Sequence, residues 1–425
     1  MDPNEMRITF FGTSCIPRLS QECNSIFVEV GSGDQFIFDC GSGVVAKYTA
    51  MGIPKSKMNK IFLTHLHGDH MSDLSHIYSF GPSEDRKFPL CIWGPGNTNW
   101  TYTDPDGKTR GPFEDGLRAF CEKFRELMRW HTESFSFGPT RYADPQNDLS
   151  HSQNPDCFEG CDSYLVGNET AYPDDPYDAY AIYAYELNYK SEGIAYKNYS
   201  TGVSISYFPV IHCRRGSIGY KLNWNGMSLV FSGDTKPNYT MLKRAEGADI
   251  LIHEMVMPAD VWTTKNTELQ DGDVGWDQSF AYTQAVQNSS HTPQGALGYM
   301  LSQISSPPRL TIATHFQAAD DTMASALQSI ENKYNITEEN NFTFASDLMV
   351  FNVSKTNILQ RKAIVSAFAF NPPPTTLGVP TAAPIYWRYD DDGNVIYDPY
   401  AQIDTTDEIP RVNDDGSENW DETGY

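Results

Sequence analysis

The segment Thr64-His65-Leu66-His67-Gly68-Asp69-His70 decides how this chain is read. It follows the apolar run KIFLT (60–64) and precedes a helical pattern in which Leu74 and Ile77 share a face. A turn from strand to helix lets several side chains converge on one point. Neutral imidazole is the commonest zinc ligand, and a carboxylate adds charge balance. His65 and His67, two apart in an extended turn, can face one metal. Asp69 and His70 open the helix and can reach a second. The alternative is a surface turn that is histidine-rich by accident, and three imidazoles with one carboxylate in six residues argue against it.

Four residues do not fill two metal shells, so further ligands are expected downstream. His212 ends SISYFPVIH, Asp234 ends LVFSGD and His315 ends RLTIATH. Each closes an expected strand, where a layered fold gathers its loops over one edge. Taken singly, each would read as a satisfied structural polar residue. As a set with residues 65–70 they read as ligands. His76, His131 and His151 lie in helix, helix-end and loop contexts and are not expected to bind metal.

Outward from the turn, RITFFG, SIFVEV, QFIFDC and PLCIWGPG are short β-rich runs bounded by Gly, Ser and Asp. Residues 113–135 form the clearest amphipathic helical pattern. The stretch 136–200 is rich in Tyr, Asp, Asn and Pro, and reads as an irregular acidic insertion: a lid, a binding loop or a surface elaboration. Strand patterns resume at residue 202, with a tight turn at Trp224-Asn225-Gly226. Helical patterns follow around 277–287, 293–304 and 321–333. FTFASDLMVFNVS and ILQRKAIVS close the regular part. Strands alternating with helices over two comparable halves predict an α/β protein. The expected form is an αββα sandwich of two mostly antiparallel sheets with helices outside, spanning residues 1–370. Residues 371–425 read as a proline-rich acidic tail that is wrapped over the body, laid on a neighbouring subunit, or partly disordered.

The chain of 425 residues carries a formal net charge of −24. Such a surface repels nucleic acid and anionic lipid, both of which present phosphate charge. No apolar run is long enough to span a bilayer, and the start lacks a signal-peptide pattern. A cytoplasmic protein is expected, or an exported one whose leader has been removed. The cysteines are scattered and form no CxxC pair. Cys157 and Cys161 could form a disulfide, and free thiols are the other reading. Sequons such as those at Asn198 and Asn352 carry little weight in an Asn-rich chain.

HLHGDH resembles the HxHxDH signature of the metallo-β-lactamase superfamily. The resemblance implies that one zinc takes His65, His67 and His212, that the other takes Asp69, His70 and His315, and that Asp234 bridges them. FSGDTKPN resembles the SGDTRP segment of the tRNase Z branch, ILIHE its HEAT motif, His291-Thr292 its HST motif, and PLCIWGPGN its strand and Gly-Pro turn. The resemblance covers most of residues 6–350. It looks closest to tRNase Z-like environmental and metagenomic metallo-β-lactamases. The match departs at His253-Glu254-Met255-Val256, at His291-Thr292-Pro293, and at FDCGSGVVAK, which stands where tRNA-processing enzymes carry FDCGEGTQ. No basic, glycine-rich arm is visible, and the acidic surface argues against tRNA as substrate.

The resemblance implies two Zn2+ per chain and a hydrolase of phosphodiester or cyclic ester and amide bonds, using water activated between the metals. Asp69 would orient that water. Glu254 and His291 form a carboxylate–imidazole pair that either protonates the leaving group or steadies the metal ligands. Tyr220 and Lys236 are candidate substrate contacts, or else structural neighbours of the site. The alternatives are a metallo-β-lactamase acting mainly on β-lactams, and a non-catalytic binding relative of the fold. The family pattern implies a homo-oligomer, most simply a dimer.

Overall fold

The computed structural model describes residues 1–84, 86, 89–135, 161–166, 180–318 and 320–369, and four two-residue strands beyond them. Met1–Pro372 form one compact unit and Pro373–Tyr425 a second. In the second, Arg388–Tyr389 pairs with Val395–Ile396, and Arg411–Val412 with Glu418–Asn419. The cysteine pair proposed at 157 and 161 falls outside the description, since Cys157 is not among the described residues.

In chain order the strands of the first unit begin with β1 (Met6–Gly12), β2 (Ser25–Val30), β3 (Gln35–Phe38), β4 (Lys60–Phe62) and β5 (Leu90–Pro95). Next come β6 (Trp100–Thr103), β7 (Thr109–Phe113), β8 (Cys161–Val166), β9 (Ile182–Leu187), β10 (Gly193–Asn198) and β11 (Val203–Pro209). The last are β12 (Ile218–Trp224), β13 (Met227–Phe231), β14 (Ile250–Glu254), β15 (Leu310–Thr314), β16 (Asn341–Phe344), β17 (Met349–Val353) and β18 (Ile358–Lys362). One nine-stranded sheet runs β18-β17-β1-β2-β3-β4-β5-β9-β8, and a seven-stranded sheet runs β10-β11-β12-β13-β14-β15-β16. The hairpin β6–β7 joins neither.

Period-two alternation decides which side chains lie between the sheets. Phe36 and Phe38 point into the core shared by both sheets, while Ile37 points out. On β14, Ile250 and Ile252 enter that core and Leu251 faces the outer layer. The core also holds a stack of rings across paired strands. Phe62 lies on Trp93 at 4.5 Å, and Trp93 on Tyr185 at 4.6 Å. Helices cover both outer faces. Val44, Tyr48, Leu74, Ile77 and Leu117 pack on the first sheet, and Met241, Leu297, Leu301 and Ile330 on the second. The αββα sandwich is therefore the architecture of this unit.

Three details differ from the expectation. The sheets are mixed: β3, β4, β5 and β9 pair in parallel, as do β13, β14, β15 and β16. Parallel neighbours need crossovers, and helical crossovers supply the outer layers. Residues 136–200 are not irregular throughout, because β8, β9 and β10 extend the sheets. In β9, Ile182 and Ala184 face the outer cluster while Tyr185 and Leu187 face the inner one, so the alternation in IYAYEL outweighs the polar composition around it. The helix expected over 113–135 begins at Leu117, after Gly116, and breaks at Met128. Thr109–Phe113 belongs to the hairpin instead. The Asn225-Gly226 turn holds, with both residues at positive φ between the paired Trp224 and Met227. No helix among the described residues is long and apolar enough to cross a membrane.

Candidate metal centre

Every candidate ligand sits just past the C-terminal end of a strand. His65, His67, Asp69 and His70 follow β4, His212 follows β11, Asp234 follows β13 and His315 follows β15. The structure brings all seven together in two groups. In the first, His67 Nδ1 lies 3.0 Å from His65 Nε2 and 3.2 Å from His212 Nε2. In the second, Asp69 Oδ2 lies 3.2 Å from both His70 Nε2 and His315 Nε2. Asp234 stands between them. Its carboxylate is 3.2 Å from His70 and 3.3 Å from His315, and 3.9 Å from His65 and 3.8 Å from His212.

The far ring nitrogens of His65, His70 and His212 are tied down, which aims their near ones inward. Assigned from these partners, Nδ1–H of His70 donates to Asp39 Oδ2 at 2.7 Å and that of His212 to the Ser290 carbonyl at 2.8 Å. His65 Nδ1 lies 3.0 Å from Thr64 Oγ1, whose own hydrogen goes to Asp39. The far nitrogen of His67 meets only the Cys213 sulfur, at 3.6 Å. With Nδ1 carrying the hydrogen, Nε2 of His65, His70 and His212 presents a lone pair to the centre.

Such a set fits cations. His70 Nε2 and Asp234 Oδ1 are buried without a hydrogen-bond partner, although they lie 3.2 Å apart. Buried carboxylates lacking a compensating charge are costly. Burial would raise the pKa of Asp69 and Asp234, but the surrounding imidazoles hold both well below the usual carboxylate range. Burial pushes His65 and His67 down, and His212 to about 4, which keeps them neutral as ligation requires. His70 is also pushed down by burial, but Asp234, Asp69 and Asp39 together raise it far above its ordinary value. That ring sits where the carboxylates call for positive charge, which a metal ion at Nε2 would supply in place of the proton.

Glu254 and His291 lie alongside. His291 Nδ1 is 2.9 Å from Glu254 Oε2 and 3.9 Å from Asp234. Burial lowers His291, but the Glu254 carboxylate outweighs it and raises the imidazole to about 9. Of the two readings of Tyr220, the structure favours the structural neighbour. Its ring is fully buried and its hydroxyl donates to the Leu63 carbonyl, so it braces the ligand turn from behind. Lys236 is half-buried, and its backbone N–H donates to the Ile211 carbonyl. His76 stacks on Phe80, and His131 Nε2 lies 2.9 Å from the Ser79 carbonyl, both away from the centre. His151 is outside the described residues.

Sequence reading passed over Asp39. It follows β3, is fully buried, and accepts from the Thr64 backbone N–H at 2.8 Å as well as from His70. An ionisable residue closing the apolar run QFIFDC was the available signal. Asp39 and His315 also hold positive φ, at 57° and 60°. Non-glycine residues in that region are uncommon and concentrate at functional sites. Gly233 has φ 58°, and a Cβ there would come within 2.6 Å of Thr64 Cβ, so the turn that carries Asp234 needs glycine.

A family model described as Anti-Pycsar protein Apyc1 matches residues 6–89. Ribonuclease Z of Methanothermobacter thermautotrophicus is 26% identical over 268 residues, covering 60% of this chain and 75% of that protein. Ribonuclease Z of Mycobacterium avium is 26% identical over 274 residues, covering 63% of this chain and 76% of that protein. The metallo-beta-lactamase fold protein YhfI from Bacillus subtilis aligns with 82% of this chain and 100% of its own at 12% identity, with a TM-score of 0.48. Fold, site and relatives together define a protein of the metallo-β-lactamase superfamily. Within it the chain stands on the tRNase Z-like branch, as a metal-dependent hydrolase.

Proposed function

We propose that this chain is a dinuclear zinc phosphodiesterase. Seven donors in two groups that share Asp234 carry this reading. His65, His67 and His212 would hold one ion, Asp69, His70 and His315 the other, and Asp234 both. Bound there, the pair would supply Lewis acidity and a nucleophile derived from water. Hydrolysis adds water across one P–O bond, and the departing alkoxide needs a proton. The Glu254 carboxylate raises His291 and occupies its Nδ1, so Nε2–H is the proton offered to the leaving oxygen. The pocket beside His65, His67 and His212 is also lined by Arg215 and by Arg214, the latter paired with Asp115, so Arg215 is the cation that would face an anionic substrate in an otherwise acidic protein. The relatives named ribonuclease Z favour the same bond. The acidic surface favours a small diester over tRNA.

The test is a parallel assay of zinc-loaded protein on bis(p-nitrophenyl) phosphate, a chromogenic β-lactam and a lactone, with His67→Ala as blank. Turnover of the diester that depends on His67 is expected. Turnover of only the lactam or the lactone would overturn the phosphodiester assignment. No turnover of any of the three at full zinc occupancy would favour a non-catalytic relative.

A further inference from the structure

The hairpin β6–β7 carries three rings on one face. Trp100 stacks on Tyr102 at 5.4 Å, Tyr102 on Phe113 at 6.2 Å, and Trp100 lies 6.1 Å from Phe113. They are 40%, 43% and 41% exposed. Both strands are exposed along their length and neither joins a main sheet, so packing does not account for the rings. A cluster of large exposed aromatics on a chain this acidic calls for an occupant.

The hairpin adjoins the metal pocket through Arg214 and Asp115. Arg214, which lines that pocket with His65, His67 and His212, places its guanidinium 4.9 Å over the Trp100 ring. Asp115 pairs with the same guanidinium, and Asp115 also receives the Thr98 backbone N–H at 2.8 Å, which ties the hairpin's base to the pocket wall. A flat ring attached to a diester held at the metal centre would thus find an aromatic surface beside it. We propose that Trp100, Tyr102 and Phe113 form a stacking subsite for the nucleobase of a nucleotide-sized phosphodiester. This rests on the phosphodiesterase reading above. Charge favours one nucleotide over a long strand, because each added phosphate meets the field of a −24 chain. A second copy of the chain is a poorer occupant. Three rings, each about two-fifths exposed, fall well short of the ~800 Å² per partner that a stable interface buries.

The experiment compares kcat/KM for a nucleoside 5′-(p-nitrophenyl phosphate) with that for methyl p-nitrophenyl phosphate, which lacks the base. The enzymes are wild type, Trp100→Ala, Tyr102→Leu and Tyr102→Phe. Stacking on an aromatic ring predicts that the preference for the nucleoside diester falls about tenfold in Trp100→Ala and Tyr102→Leu, chiefly through KM, and is kept in Tyr102→Phe. Tyr102→Leu preserves apolar bulk without the ring, so a loss there is not a loss of packing. Hydrolysis of both diesters by wild type with equal kcat/KM, or variants that keep the wild-type preference, would overturn the subsite and leave the phosphodiesterase reading intact. Failure of wild type on both diesters would instead strike that reading. An unchanged preference with a changed sedimentation coefficient in Trp100→Ala would assign the hairpin to self-association and overturn the proposal.

Discussion

Replacing Asp39 by Asn changes one oxygen to an amide nitrogen and almost no volume, yet it should unseat a metal ligand. Asp39 Oδ2 accepts the Nδ1 hydrogen of His70 at 2.7 Å, and Oδ1 accepts the Thr64 backbone N–H at 2.8 Å. An Asn oxygen can keep the Thr64 bond, but its NH2 group then faces His70 Nδ1 and can only donate. The imidazole must move its hydrogen to Nε2, the atom that lies 3.2 Å from both Asp69 and Asp234 and whose lone pair a metal would need. Losing an outer partner of this kind weakens metal affinity by about ten- to hundredfold. That loss corresponds to about 1.4–2.7 kcal/mol. At a fixed excess of zinc the metal's contribution to folding falls by the same amount. In a unit of this size the zinc-induced rise in Tm should shrink by about 2–4 °C. The metal-free Tm should move less, because removing a fully buried carboxylate also removes its desolvation cost. Thermal denaturation with and without excess zinc, together with competition against a chromophoric chelator, measures both quantities. An Asp39→Asn protein with the wild-type zinc affinity and the wild-type Tm shift would refute the tautomer reasoning.

Three further outcomes are expected. Asp234→Ala should lose bound metal from both groups and hydrolytic activity with it, because its carboxylate reaches His65 and His212 as well as His70 and His315; elemental analysis showing two ions per chain would contradict this. Gly233→Ala forces a Cβ to within 2.6 Å of Thr64 at φ 58°, and should cost upwards of about 2 kcal/mol from the left-handed backbone plus the clash; an unchanged urea midpoint would count against it. Glu254 raises His291 above its ordinary value, so turnover of substrates with poor leaving groups should fall on the alkaline limb of the pH profile, as the imidazolium loses its proton. His291→Ala should lose that limb and slow those substrates about 10²–10⁴-fold, while activated aryl esters change far less; equal slowing of both classes would make His291 a positioning residue.

Much of the centre was legible because metal chemistry demands particular residue types at strand ends. Residues 65–70 announce themselves by density, and His212, Asp234 and His315 by closing apolar runs. Asp39 was not legible in the same way, since a single carboxylate after a strand is common and its value lies in the distance to His70. The strands of 161–198 were hidden for a different reason. Their alternation is carried by tyrosines amid Asp, Asn and Pro, so composition pointed to loop while the facing pattern fitted a sheet. Tyr220 shows the converse. Its sequence position allowed either a substrate contact or a structural neighbour, and only packing showed the hydroxyl spent on the Leu63 carbonyl.

Local chemistry sets which side chains can bind a cation and which runs can alternate in and out of a core, so the sequence by itself determined the αββα class and the seven candidate ligands. Mixed strand pairing, the anchoring of His70 by Asp39 and the meeting of the aromatic hairpin with the pocket were decided by tertiary structure. Each joins residues far apart in the chain, as His67 meets His212 and Asp69 meets His315, and such distances are fixed only when both sheets have packed.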